Sequence, residues 1–270
     1  MKNAIIARGS AYLQLARMGA QITFIYRANV IFQLAGVIFQ VYLLKVVWTA
    51  IYSHSDNSHH IQLPTLISYL TLANIQIWVL TPTITNVLQE RIRTGDVALD
   101  IAKPLSFPGQ LIARQVGASL SLLPFALLAL PFAWVAGGLQ GPASLEALVL
   151  YIASCALAYC IVALIGLLMG LVSFWTFQLE GMLLIYRFVN QLFSGALLPL
   201  WLFPPALYTI ALFLPFQAVA FLPVSIYLGE LQTTSLIETF AIQIAWILLL
   251  CILVLLTWSR AKRFVSIQGG

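Results

Sequence analysis

Few side chains in this sequence have the chemistry of a catalyst or of a metal ligand. Its 270 residues include 13 lysines and arginines, 8 acids and 3 histidines. The histidines, His54, His59 and His60, share one polar stretch but lack cysteine partners and a firm ligand spacing. Acid–base catalysis needs titratable groups within reach of one another, and the sequence suggests no such cluster. We therefore predict no catalytic residues and no metal site.

Ionisable residues inside long apolar stretches are a second kind of candidate, because charge in a bilayer is costly and usually serves a function. Lys45, Glu180 and Arg187 are in this position. Lys45 lies near the end of its stretch, where its stem can snorkel towards the headgroups. Glu180 and Arg187 are spaced to share one helix face. No acid or histidine lies in the middle of a stretch, which disfavours a proton relay.

Polar residues, nearly all of them uncharged, form stripes at helical spacing in three of the apolar stretches. One stripe contains Asn74, Trp78, Thr81 and Thr85, a second Arg187, Gln191 and Ser194, and a third Asn29, Gln33, Gly36 and Gln40. A polar stripe on a membrane helix faces a partner helix or a wet cavity. We predict one shared interior seam with few charges. Two interpretations stay open, since the stripes can line a path for an amphipathic solute or only bind neighbouring helices.

The composition places these residues in a membrane protein. Hydrophobic residues make up 61% and charged residues 8% of the sequence, and the mean hydropathy is +0.98, whereas soluble domains are about half apolar and a quarter charged. A helix that crosses about 30 Å of hydrocarbon needs about 20 apolar residues. We predict one all-α integral membrane domain over residues 1–270, with six transmembrane helices. The predicted spans are residues 28–52, 64–89, 109–136, 146–175, 179–203 and 235–259.

The basic residues indicate the orientation of these spans. Nearly all of them lie before the first span, around the gap 90–108 or after the last span. Because basic loops stay in the cytoplasm, both termini are predicted to be cytoplasmic. Residues 5–26 have a polar and an apolar face and are expected to form an interfacial helix. The net charge of +5 is assigned to contact with anionic lipid, and nucleic acid is not expected as a partner.

Prolines interrupt the apolar stretch that follows the fifth span. Pro204, Pro205, Pro215 and Pro223 lie in residues 204–230, and proline breaks helices into short pieces. Irregular backbone at membrane depth must be buried in protein or line a wet cavity. We predict two short re-entrant helices that enter from the outer face. The alternative, a seventh and an eighth crossing, would need longer uninterrupted segments.

The gap 90–108 is the most organised polar segment. Asp96 and Asp100 are one helical turn apart, Lys103 follows them, and Pro104 ends the predicted short helix. An ordinary solvated loop is the alternative. A short charged helix at the cytoplasmic end of a span kinked at Pro82 is nevertheless a surface against which an energising subunit could act. The candidate coupling residues are Glu90, Arg91, Arg93, Asp96, Asp100 and Lys103.

Two motifs resemble the permease subunit of type-2 ABC transporters. The matching residues are Glu90, Arg91, Thr94, Gly95, Leu99, Pro104, Leu105 and Ser106 in the cytoplasmic gap, and Ser194, Gly195, Pro199, Leu200, Pro204 and Pro215 at the end of the fifth span. The order of interfacial helix, spans and re-entrant helices extends the resemblance over essentially the whole chain. The spacing is similar to the branch with a separate ATPase and often two different small permeases.

The resemblance implies an ATP-driven exporter that moves an amphipathic, lipid-like or drug-like substrate outward across the bacterial inner membrane. Two permeases, identical or homologous, would pair chiefly through the first and fifth spans around a path lined by the second and fifth. A dimer of soluble ABC ATPases would bind ATP and Mg, because this sequence has no G-x-x-x-x-G-K-S/T phosphate loop. A secondary carrier and a membrane scaffold subunit are the alternatives, and a membrane enzyme is the least favoured.

Overall fold

The computed structural model describes residues 2–54, 61–135, 138–176, 179–231 and 235–268, and the regular structure in these ranges is helical. The α-helices in these ranges are α1 (Lys2–Ile25), α2 (Arg27–His54), α3 (Leu63–Leu80), α4 (Ile84–Thr94), α5 (Val97–Ile101), α6 (Phe107–Val135), α7 (Leu145–Leu171), α8 (Glu180–Phe193), α9 (Pro205–Leu212), α10 (Phe221–Leu228) and α11 (Leu236–Gln268). Short 3-10 helices lie at Val172–Phe174, Leu200–Leu202 and Pro215–Ala218.

Five of the described helical segments are long and apolar enough to cross a membrane. They are Arg27–Ser53, Leu63–Thr94, Phe107–Val135, Leu145–Phe174 and Leu236–Arg263, and they coincide with five of the six predicted spans. The chain is therefore an all-helical multi-pass membrane protein. The predicted interfacial segment is also a helix, since α1 ends at Ile25 and a turn at Tyr26 leads into α2.

The predicted fifth span, residues 179–203, is wrong as one continuous helix. α8 has 14 residues, or about 21 Å at 1.5 Å per residue, which is short of about 30 Å of hydrocarbon. Gly195 adopts a left-handed conformation with φ of 87°, and such a residue commonly ends a helix. A Cβ atom there would also collide with the Tyr69 hydroxyl group. The number of crossings stays a prediction.

Among the five candidate membrane spans, the one that contains α3 is the most buried. In its most apolar 18-residue stretch 72% of the residues are buried, against 11% in the corresponding stretch of α2. Where a kink was predicted at Pro82, the helix is interrupted, because α3 ends at Leu80 and α4 begins at Ile84. The outer helices α2, α6 and α11 carry many exposed apolar side chains, as expected of surfaces that lipid covers.

Two glycines of α7 pack against this break. A Cβ atom on Gly166 would lie 2.7 Å from Pro82 Cβ, and one on Gly170 would lie 3.1 Å from Leu88 Cδ2. Thr85 Oγ1 donates a hydrogen bond of 2.8 Å to the Gly166 carbonyl oxygen. Small residues let helices approach this closely, so the glycines hold α7 against α4.

The segments that precede and follow α6 lie at opposite ends of the helix bundle. Phe107 at the start of α6 stacks on Trp258 near the end of α11, with ring centroids 4.7 Å apart. At the other end, Tyr227 Oη donates a hydrogen bond of 3.0 Å to the Gln140 carbonyl oxygen in the gap between α6 and α7. The positive-inside argument depends on this alternation. The side on which each end lies stays a prediction.

The segment of residues 204–230 forms the two short helices that the prolines predict. Pro205 is the first residue of α9 and Pro215 the first of a 3-10 helix, positions where the missing N–H is harmless. At the last residue of this 3-10 helix and at the residue after it, two glutamine side chains pair with the backbone. Gln76 Nε2 donates to the Val219 carbonyl oxygen at 2.6 Å, and Gln243 Nε2 to that of Ala218 at 3.0 Å. These bonds meet the requirement that buried irregular backbone be satisfied by protein.

Candidate functional site

A cleft of about 250 Å³ lies between α2, α3, α8 and the turn that follows α8. We call it the central cleft. Five of the seven residues predicted to line a path or an interface lie in its wall: Asn74, Trp78, Thr81, Arg187 and Gln191. The other two do not, since Thr85 bonds to α7 and Ser194 is fully buried. The structure thus brings most of two predicted stripes together around one space.

The stripes of α2 and α3 meet through side-chain hydrogen bonds. Gln40 Nε2 donates to Asn74 Oδ1 at 3.0 Å, and Trp78 Nε1 donates to Gln33 Oε1 at 3.3 Å. Asn74 Nδ2 also donates to the Ala196 carbonyl oxygen at 2.9 Å. Such bonds join membrane helices. Asn74 and Trp78 therefore have a packing role in addition to forming part of the cleft wall.

Arg187 is exposed in the central cleft. In the part of the chain that the structure describes, no carboxylate forms an ion pair with it. Glu180 lies about two turns away at the first residue of α8. Asn190, also in the cleft wall, has a buried Oδ1 atom without a hydrogen-bond partner. The cleft can therefore offer one exposed cation to a ligand, and its wall also contains one buried acceptor that the described residues leave unpaired.

Asn190 was missing from the predicted site residues. Its position three residues after Arg187 places it on the same helix face, so the spacing could have identified it. Gln40, from the stripe of α2 that the shared seam included, also lines the cleft. Ala196 joins the wall from the turn that follows α8.

A buried ion cluster joins α4, α5 and α6. The Asp100 carboxylate is 2% exposed; Arg91 Nε is paired with its Oδ2 atom, Lys103 Nζ lies 2.6 Å from Oδ1, and Arg114 Nη2 lies 3.7 Å from Oδ1. Gln110 Nε2 donates to the Asp100 carbonyl oxygen at 2.8 Å. Burial raises the pKa of the Asp100 carboxyl, but the hydrogen bonds and charges of the cations outweigh it and leave this pKa below its ordinary value.

This burial corrects the expectation that Asp100 is presented to the cytoplasm together with Asp96. The helix is shorter than predicted and covers only Val97–Ile101, so Asp96 precedes it and is half-buried, whereas Asp100 lies within it and is buried. Gly95, with φ of 81°, separates it from α4. The cluster residues Arg91, Asp100 and Lys103 hold α5 in place, whereas Glu90 and Arg93 pair at the surface and Asp96 is half-buried.

The surface of α4 and α5 has both charged and apolar character. Arg93 Nη2 lies 2.8 Å from Glu90 Oε2, and both side chains are exposed. Asp96 is half-buried, and Leu99 is 67% exposed at the outer side of α5. Leu99 thus adds one exposed apolar side chain to a surface that is otherwise charged. We call Glu90, Arg93, Asp96 and Leu99 the end surface.

No group of three or more histidine, cysteine, aspartate or glutamate side chains could hold a metal ion within the described ranges. His59 and His60 lie outside these ranges. Within the described residues, the central cleft and the end surface are two arrangements suited to binding a ligand or a partner protein.

Comparison with known proteins identifies the kind of molecule. A family model described as ABC-2 family transporter protein matches residues 37–269. The match covers α3 to α10 completely, and with them the central cleft and the end surface. No curated protein matches the chain.

Proposed function

The chain belongs to the ABC-2 family of transporter proteins, and we propose that it is the permease subunit of an ATP-driven exporter. As a family member it is a transport permease that works with an ABC ATPase. The further proposal is that it moves an amphipathic, lipid-like or drug-like substrate outward. The observation that carries this proposal is the central cleft, where predicted path residues from two helices surround one space.

The cleft wall fits an amphipathic cargo better than a small ion. Ile77, Leu80 and Val162 supply apolar surface, while Arg187 and Gln191 supply polar groups. Binding sites for small molecules usually combine apolar walls with a few placed polar groups. A cargo with a polar group near an apolar body would contact both kinds of side chain.

The end surface is proposed to dock the ATPase. Leu99 would enter a groove of that subunit, and Glu90, Arg93 and Asp96 would set the orientation, since charged rims give specificity. A force on α5 would pass to α4 and α6 through the ion pairs of Asp100. Because α4 is separated from α3 by the break at Pro82, such a force could tilt α4 against the wall of the central cleft. Rigid elements that move about a break are a common way to transmit a conformational change.

The rest of the assembly follows the same proposal. Two ATPase subunits bind ATP and Mg, two identical or homologous permeases form the membrane part, and the complex lies in a bacterial inner membrane. Exposed apolar side chains of α2 and α8, such as Phe32 and Phe188, are available to a second permease or to lipid. This exposure supports pairing through these helices.

The test is to tag the protein in its native host, extract it in mild detergent and identify the proteins that co-purify. We expect an ABC ATPase in stoichiometric amount and ATP hydrolysis sensitive to vanadate. In inverted membrane vesicles, ATP should then drive a fluorescent amphiphile into the lumen, and this uptake should decrease in Arg187→Gln while the ATPase stays bound. Uptake that needs no ATP but collapses with the proton gradient would indicate a carrier. Absence of both partner and uptake would favour a scaffold.

A further inference from the structure

A second cleft, of about 300 Å³, lies between α1, α4 and α6 and shares no lining residue with the central cleft. We call it the lateral cleft. Two arginines line it, Arg91 of α4 and Arg114 of α6. Its other walls are largely apolar and include Met18, Ile22, Val87 and Leu111. The combination of two cations with apolar walls is that of a site for an anionic amphiphile.

The charges at this cleft do not balance within the described residues. Arg91, Lys103 and Arg114 all have Asp100 as their ion-pair partner, and no second carboxylate pairs with any of them in the described ranges. Lys103 is 43% exposed and does not line the cleft, so the two lining arginines against one carboxylate leave an excess of one positive charge there. Partly buried cations are screened poorly by salt, so this excess attracts an anion from outside.

The guanidinium group of Arg114 also has unused hydrogen-bond donors. Its Nη2 atom lies 3.7 Å from Asp100 Oδ1, which is too far for a hydrogen bond. Its Nε atom is buried and has no hydrogen-bond partner among the described residues. A buried donor without an acceptor is unfavourable, and a phosphate oxygen is a strong acceptor for a guanidinium group.

The position of the cleft favours a lipid over a soluble anion. Its outer wall is formed by Met18 and Ile22 of α1, of which Ile22 is 54% exposed. α1 is predicted to lie at the cytoplasmic headgroup layer, where acyl chains and phosphates are both within reach. Leu99 and the rest of the end surface do not line the cleft, so ATPase docking leaves it open.

We propose that the lateral cleft binds one anionic phospholipid of the inner leaflet. Arg114 and Arg91 hold its phosphate group, and an acyl chain lies along Ile22 and Leu111. The bound lipid links α1 to α4 and α6 beside the Asp100 cluster. It therefore stabilises the end of the molecule to which the energising subunit is proposed to attach, whether or not transport itself proceeds as proposed.

The test is native mass spectrometry of the full-length protein in detergent with equimolar phosphatidylglycerol and phosphatidylcholine of the same acyl chains. We expect one phosphatidylglycerol to be retained in preference to phosphatidylcholine. Arg114→Gln should weaken this retention about fivefold, the factor that one arginine contributes at an anionic lipid surface. The matched control is Arg93→Gln, which removes an exposed arginine of α4 outside the cleft and should leave retention unchanged.

A second variant addresses the apolar wall without touching the arginines. Ile22→Glu places a carboxylate in the lateral cleft at a largely exposed position, so the fold does not depend on it, and should also abolish the preference. If Arg114→Gln does not fold, Ile22→Glu decides the question. Equal retention of the two lipids by the native protein, or unchanged retention in Ile22→Glu, would overturn the proposal. Complete displacement of the lipid by millimolar inorganic phosphate would overturn it in favour of a free-phosphate site.

Discussion

Replacing Gly117 by alanine is expected to force α1 away from α6. The added Cβ atom would lie 2.8 Å from Ala16 Cα and closer still to the Ala16 carbonyl oxygen, whereas ordinary contact begins at 3.4 Å. These atoms of Ala16 belong to the backbone, so no change of side-chain rotamer can relieve the collision. The helices would have to separate by at least roughly 0.6 Å, the difference between these two distances. Gly19 makes the reciprocal approach, since a Cβ atom there would lie 3.2 Å from Ala118 N.

The change in the free energy of unfolding caused by Gly117→Ala is the sum of two opposing effects. Overpacking of this kind costs about 1–3 kcal/mol, while alanine is preferred over glycine inside a helix by about 1 kcal/mol. Gly9, on the same helix α1, provides the matched control because a Cβ atom there would meet nothing within 4 Å. The difference between Gly117→Ala and Gly9→Ala isolates the contact. At about 2–4 °C per kcal/mol, a contact that costs about 1–3 kcal/mol should make the two variants differ by about 2–12 °C.

The assay is the thermal unfolding midpoint of each purified variant in the same detergent. Gly117→Ala and Gly19→Ala should unfold below the native protein, and Gly9→Ala at or above it. Hydrogen exchange should also become faster in α1 of the first two variants. Equal midpoints for Gly117→Ala and Gly9→Ala would refute the close packing of α1 on α6, and with it the outer wall of the lateral cleft.

Three further predictions concern stability and docking. Gln76→Leu leaves the Val219 carbonyl oxygen unpaired and should lower the unfolding midpoint by the equivalent of about 1–3 kcal/mol. The control Gln21→Leu, at an exposed position of α1, should leave the midpoint unchanged. Equal midpoints for the two variants would contradict the hydrogen bond between Gln76 and Val219. The stability that the lowered pKa of Asp100 confers is present above the ordinary carboxyl pKa and is lost as the pH falls through the lowered value. The native midpoint should therefore fall below about pH 4, and Asp100→Asn, already less stable at neutral pH, should lack this component; an identical acid response would refute it. Leu99→Gln should unfold at the same temperature as the native protein, because Leu99 is exposed. It should nevertheless retain less ATPase on co-purification. Undiminished ATPase retention would exclude Leu99 from the docking contact.

Long apolar stretches were sufficient to locate α2, α3, α6, α7 and α11. Each has enough apolar residues for one crossing, and hydrophobic length is a local property of the chain. The break at Pro82 and the short helices after Pro205 were likewise predictable, because proline removes a donor and restricts its own backbone wherever it occurs.

The early end of α8 was not predictable from hydrophobicity. Residues 194–203 are as apolar as a continuing helix would be, yet the chain turns at Gly195. The turn is supported from a distant part of the chain, since Asn74 donates to the Ala196 carbonyl oxygen. A pattern read along one segment contains no information about a partner 122 positions away.

The sequence by itself determined that the chain is a helical membrane protein, which segments are its main helices, and which polar residues share a helix face. Only the tertiary structure decided which faces meet and which of two aspartates one turn apart is buried. Asp100 is internal because Arg114 of α6 and Arg91 of α4 converge on it, while Asp96 has no ion-pair partner among the described residues. Hydrophobic length and helical spacing depend on near neighbours in the chain, but burial and charge pairing depend on neighbours in space.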